Sequence, residues 1–197
     1  MKVHSLFCGV SYSNFALFDP AVFAWDDLSA HMITNNSLNQ GFAWRPGHVE
    51  FYTVNADDFG GFNCPYDMFG IELDIRLDEP VKLSSDAVRA IQVPFSVAGN
   101  DGIRITDDGD YVARPPRKIA IPAGDYALVF EQGWKYDPQP IEINEATGED
   151  EMEFLYTLWG RLWFTPEQNA EPKIILQNPR DERMRPTSPL CMNGVPG

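Results

Sequence analysis

Basic residues are scarce in this chain: 15 Lys and Arg stand against 29 Asp and Glu, for a net charge of −14. Between Tyr136 and Gly160 there is no Lys or Arg, while Asp137, Glu142, Glu145, Glu149, Asp150, Glu151 and Glu153 all fall in that interval. A surface of this sign repels phosphate. It argues against direct binding of nucleic acid or an anionic membrane, since both depend on Lys and Arg neutralising phosphates. Basic proteins are the natural partners, drawn in fastest at low salt. The bland alternative is a solvated loop that confers solubility.

Cysteine and histidine are also sparse. Cys8, Cys64 and Cys191 are odd in number and lack metal-like spacing, so neither a disulfide framework nor a zinc site is indicated, and three unpaired thiols in a reducing compartment are expected. His4, His31 and His48 are scattered, with no HExxH or HxH pattern. No nucleophile–base signature, GxxxxGKS/T or GxGxxG occurs, so no catalytic residue, cofactor or metal is assigned. Asp107, Asp108, Gly109 and Asp110 look like the start of a calcium loop, but no Glu stands at the twelfth position from Asp107, and a solvated turn is the preferred reading. Asp57 and Asp58, ahead of Phe59-Gly60-Gly61-Phe62, read the same way. No apolar run approaches the ~20 residues needed to span a bilayer, and the first fifteen residues are too polar for a signal peptide. The expectation is a soluble, cytoplasmic protein.

What the chain does have is aromatic residues and period-2 patterning. Thirteen Phe and five Trp exclude disorder over the whole length. Phe69, Ile71, Leu73, Ile75 and Leu77 alternate with polar residues, which predicts a strand with one face in a core, ended by Pro80. Ile91, Val93, Phe95 and Val97 lead through Gly99-Asn100-Asp101-Gly102 to Ile103 and Ile105, a hairpin signature, with Pro94 marking an edge or a bulge. Further strands are expected at Val3–Ser11, Val49–Val54, Lys118–Ile121, Tyr126–Phe130 and Phe154–Phe164, the last with a bulge at Gly160, and a tight turn is expected at Pro122–Asp125. Short helices are expected at Asp26–Asn36, capped by Asp26 or Asp27, and at Ser85–Ala90. Many short strands without a βαβ rhythm predict an all-β fold: an antiparallel β-sandwich over residues 1–178, followed by an irregular tail over 179–197. Trp134 and Tyr136 precede the acidic interval, and Tyr156, Trp159 and Trp163 follow it. Trp134 and Tyr136, with Asp137, Glu142, Glu145, Glu149, Asp150, Glu151 and Glu153, are therefore the expected partner-binding residues, the rings supplying contact area beside the carboxylates.

Several segments recur in a recognisable order: Ser11-Tyr12 with Phe15 and Phe18, Trp25-Asp26, Val93-Pro94-Phe95-Ser96-Val97, Gly102-Ile103-Arg104-Ile105 and Pro122-Ala123-Gly124-Asp125-Tyr126-Ala127-Leu128. This series, spanning Ser11 to Trp134, resembles the competence protein J family. The resemblance implies a non-enzymatic acidic protein that binds and inhibits a DNA-entry nuclease. It further suggests an immunity protein against a bacterial nuclease toxin, such as a contact-dependent or type VI secretion effector. The expected complex is 1:1, with an acidic, DNA-mimicking surface facing the nuclease's basic cleft. The matching residues look like strand and turn positions, so the resemblance transfers no inhibitory residue. The acidic segment and the region from Phe154 to Gly197 lie beyond the part that maps. The competing reading is a β-sandwich that uses its carboxylates on a small ligand or calcium, including as an enzyme.

Overall fold

The computed structural model describes residues 2–9, 14–23, 34–54, 70–106, 116–136, 156–179, 184–186 and 188–192. In chain order the elements are β1 (Lys2–Gly9), β2 (Asn14–Phe18), α1 (Asn35–Gln40), β3 (Phe42–Arg45), β4 (His48–Tyr52), β5 (Gly70–Leu77) and β6 (Ala87–Val97). There follow β7 (Ile103–Thr106), β8 (Arg117–Ile119), β9 (Gly124–Tyr136), β10 (Tyr156–Pro166) and β11 (Lys173–Gln177). A six-stranded sheet has the order β1-β5-β10-β9-β6-β11, and a five-stranded sheet the order β3-β4-β2-β7-β8. The fold is all-β, as the strand patterning predicts. One pair departs from the antiparallel rule: β10 runs parallel to β5, with Trp159 beside Glu72 and Phe164 beside Leu77.

The core lies between the sheets. Phe15 and Phe51 of the five-stranded sheet meet Phe130 of the six-stranded one at ring centroid distances of 5.1 and 4.9 Å. All three are fully buried, each worth roughly 1.5–3 kcal/mol relative to exposure. Ile71, Leu73, Ile75, Val93, Phe95, Ile103 and Ile105 join them, while Leu77 is only partly buried and Phe69 lies outside the described residues. A polar seam also ties the sheets together. The Tyr52 carbonyl accepts from Arg89 Nη1 and Gln132 Nε2, both at 2.9 Å, and Gln132 Oε1 accepts the Val54 N–H.

The expected hairpin at Gly99–Gly102 is instead a corner. β6 belongs to the six-stranded sheet and β7 to the five-stranded one, so the turn carries the chain across the core. Hairpins and corners use the same turn residues, and what separates them here is Asp19. Its buried carboxylate accepts the Ala21 N–H at 2.8 Å and the Ala98 N–H at 2.6 Å, pinning the corner to the turn after β2. Gly102 has φ +70, and a Cβ there would come within 2.2 Å of the Ile119 carbonyl oxygen. The Pro122–Asp125 turn likewise links the two sheets, and Tyr126 Oη donates back to the Pro122 carbonyl at 2.9 Å.

Two local expectations are corrected, and a third lies mostly outside the described residues. Ser85–Ala90 is not helical: it leads into β6, whose residues from Ala87 pair with β9. Gly160 makes no bulge, since the register of β10 runs unbroken through it to both neighbours. Its role is spatial: a Cβ would lie within 2.9 Å of Ile71, Phe130 and Leu73 side chains. Most of the Asp26–Asn36 segment lies outside the described residues, and the observed helix is Asn35–Gln40, capped by Thr34, whose Oγ1 accepts the Ser37 N–H. Pro94 sits in β6 beyond the last pairing with β11, where one side of the strand is locally an edge.

The described C-terminal residues have neither helix nor strand, yet they are anchored. Met184 is buried in the core, the Arg185 N–H donates to the Asn39 carbonyl at 2.7 Å, and Gln40 pairs both ways with the Cys191 backbone at 2.8 Å. Cys8 is buried, Cys191 half-buried, and Cys64 outside the described residues. No helix among the described residues is long and apolar enough to cross a membrane.

Candidate functional site

The acidic interval is rooted in the six-stranded sheet. β9 and β10 pair antiparallel as far as Tyr136 opposite Tyr156, so residues 137–155 connect the two strands at that end. Asp137, Glu142, Glu145, Glu149, Asp150, Glu151 and Glu153 lie outside the described residues, as do Asp57, Asp58, Asp107, Asp108 and Asp110. Tyr136 is placed by its backbone alone. Trp134 is half-buried and packs against the core from β9.

Beside this root the outer face of the six-stranded sheet carries charged and aromatic residues in cross-strand rungs. Strand alternation sends Ile71, Leu73 and Ile75 inward and Glu72, Asp74 and Arg76 outward; on β10 it sends Leu158, Leu162 and Phe164 inward and Trp159, Arg161 and Trp163 outward. The register then aligns Glu72 with Trp159 and Gly133, Ser5 with Asp74, Arg161 and Glu131, and Arg76 with Trp163 and Val129. Gly133 has no side chain, and the Trp159 indole fills that space, 2.7 Å from where a Cβ would be.

Glu131 anchors the middle rung. Its carboxylate is fully buried and accepts from the Ser84 N–H, from Trp163 Nε1 at 3.3 Å and from Arg161 Nη1 at 3.4 Å. A buried carboxylate is tolerable only with partners of this kind. The contact also fixes the segment before β6 against the sheet. Arg161 lies 5.1 Å from the Trp159 ring centroid, and Arg76 lies 5.9 Å from that of Trp163. Arg76 also pairs with Asp74 at 3.3 Å and Glu79 at 3.7 Å, and Ser5 Oγ donates to Asp74. Next to these rungs opens a groove of about 670 Å³, lined by Glu72, Asp74, Asp86, Lys135, Trp159 and Arg161 among others.

Sequence reasoning singled out Trp159 and Trp163 but passed over Glu72, Asp74, Asp86, Glu131 and Arg161. Glu72 and Asp74 were visible as the wet positions of an alternating strand. Glu131 had a fainter signal: one acid inside the apolar run Ala127–Trp134. What the sequence did not reveal was that β10 inserts between β5 and β9, which brings the three sets together.

A second polar group lies on the outer face of the five-stranded sheet. His48 is buried beneath Phe23, at a centroid distance of 4.5 Å, with its Nε2 3.7 Å from Glu50 Oε1. Burial first, and the nearby Arg45 guanidinium second, push its pKa down to about 3. The 3.7 Å separation is too long for a hydrogen bond, so the carboxylate does not rescue the imidazolium and the ring is neutral at pH 7. On the opposite corner Asp101 binds Lys118 and Arg104, which together hold its carboxyl below the usual range. Among the described residues no group of three or more His, Cys, Asp or Glu is arranged to hold a metal ion.

Two antiparallel-rich sheets, joined by sheet-crossing corners, define an all-β sandwich with a charged groove on the outer face of the larger sheet. The profile of the family Competence protein J (ComJ) matches residues 8–158, so the chain belongs to that family. The match runs past Trp134 and takes in the acidic interval, further than the motif series alone maps. Among solved structures, the crystal structure of ComJ, inhibitor of the DNA degrading activity of NucA, from Bacillus subtilis is similar in fold. The TM-score is 0.52 at 17% identity, covering 84% of this chain and 98% of that one. A search of curated proteins finds no match.

Proposed function

We propose that this protein is a non-enzymatic inhibitor of a DNA-degrading nuclease. Membership of the ComJ family over residues 8–158 carries the reading, because a solved member is an inhibitor of such a nuclease. The net charge of −14 supports it physically: a cleft that holds phosphates is electropositive, and an acidic surface is attracted to it. In this reading the carboxylates between Asp137 and Glu153 face the cleft as a DNA mimic in a 1:1 complex, with Trp134 and Tyr136 at their base. The setting we propose is immunity in the cytoplasm against a nuclease toxin, such as a secreted effector.

The test is inhibition of a DNA-degrading nuclease, taken first from any that is encoded beside this gene. Purified protein should block DNA cleavage at equimolar ratio while neither cutting nor binding DNA itself. Reversing Glu145, Glu149 and Glu151 to Lys should slow association about tenfold or more at low salt and flatten its salt dependence. Unchanged association would acquit that segment and move attention to Asp57, Asp58, Asp107, Asp108 and Asp110. Failure of the intact protein to inhibit would reject the reading.

A further inference from the structure

We infer that the groove on the outer face of the six-stranded sheet seats an arginine side chain of a partner protein, held between Glu72 and Asp86 with its stem along Trp159. This deepens the inhibitor reading and rests on it for the partner's identity, but the chemistry of the seat is read from the groove itself.

The neighbouring rungs show what this surface binds. Each already holds a guanidinium between a ring and carboxylate groups: Arg161 between Trp159 and Glu131, and Arg76 between Trp163 and the pair Asp74 and Glu79. The remaining rung, Glu72 with Trp159, has no arginine of its own, although Arg161 of the next rung lies beside the same indole. Glu72 is exposed and has no hydrogen-bond or ion-pair partner among the described residues. Asp86, also exposed, accepts among the described residues only from the Ser85 hydroxyl, at 3.2 Å. Both carboxylates line the same groove, and the Trp159 indole forms its apolar wall.

Arginine suits this geometry better than lysine. Its planar fork can donate to two carboxylates at once, and its methylene stem and weakly hydrated head tolerate an aromatic neighbour. The lining carries three carboxylates (Glu72, Asp74 and Asp86) against two cations (Lys135 and Arg161), an excess of one negative charge that a single guanidinium balances. The volume of about 670 Å³ leaves room for that side chain and bridging waters. Lys135 in the lining immediately precedes Tyr136, the last residue of β9 before the acidic connection.

The experiment has two arms. In the first, the tripeptide Gly-Arg-Gly with blocked ends is titrated into the full chain while the Trp159 indole N–H resonance, assigned with Trp159→Phe, is followed by NMR. Saturable shifts are expected, at least fivefold weaker with Gly-Lys-Gly and with the double variant Glu72→Gln/Asp86→Asn. No shift, or the same shift in the double variant, would overturn the inference. In the second arm, the double variant should bind the nuclease that wild type inhibits at least tenfold more weakly, with an unchanged thermal midpoint. Equal affinity would remove the groove from the interface and leave the inhibitor reading standing. Arginine binding in the groove of a protein that inhibits no nuclease would do the reverse.

Discussion

At neutral pH His48 carries no charge inside the protein, and that sets a direction for stability. Its pKa is about 3 when folded against 6.5 as the ordinary value, so between those limits the unfolded chain binds a proton the folded chain does not. Stability from this residue is therefore fully present above about pH 6.5 and is lost as pH falls. Each pH unit costs about 1.4 kcal/mol, or roughly 2 kcal/mol between pH 6.5 and 5. Urea unfolding at pH 7.5 and 5.0 should show that loss, and His48→Gln should shrink it. An identical pH difference in the variant would mean that other groups carry it. Exposed Asp101 belongs to a different case: Lys118 and Arg104 hold its carboxyl down on a solvated surface, where screening leaves such contacts little weight.

At the scale of the element, β10 shows how tightly one strand can be specified. Gly160 faces Ile71, Leu73 and Phe130, which are themselves fully or almost fully buried. Gly160→Ala should lower unfolding free energy by about 1–3 kcal/mol through overpacking, despite alanine's lower backbone entropy cost, and a urea denaturation midpoint would report it. The same strand explains what the sequence could and could not disclose. β5 was legible because water lies on one face and core on the other, leaving a clean alternation. β2 and β4 are buried along their whole length, so β2 showed no alternation at all and the start of β4 at His48 was missed. The corner after β6 read as a hairpin because Gly99–Gly102 supplies turn chemistry without saying which sheet comes next. For the site, the charged residues of single strands were readable one by one. Their assembly into rungs depended on a strand order that no local pattern encodes.

For the whole molecule the relevant quantity is the excess of 14 negative charges. If inhibition is steered by that field, the association rate with the nuclease should fall at least about tenfold as salt rises from about 0.02 to 0.5 M, while dissociation changes far less. Stopped-flow measurements separate the two, and a salt-independent association rate would show that the acidity serves solubility alone. The position of β10 has a different consequence, for the order in which the protein comes into being. Among the described strands it alone hydrogen-bonds both to the β1–β5 pair and to the β9–β6–β11 group, yet nine of the other ten precede it in the chain. Until residues 156–166 leave the ribosome, β5 and β9 lack the strand that joins them, and the rungs of the groove cannot form. A nascent chain of this kind folds late, through contacts distant in sequence, and is open to edge-to-edge association while it waits.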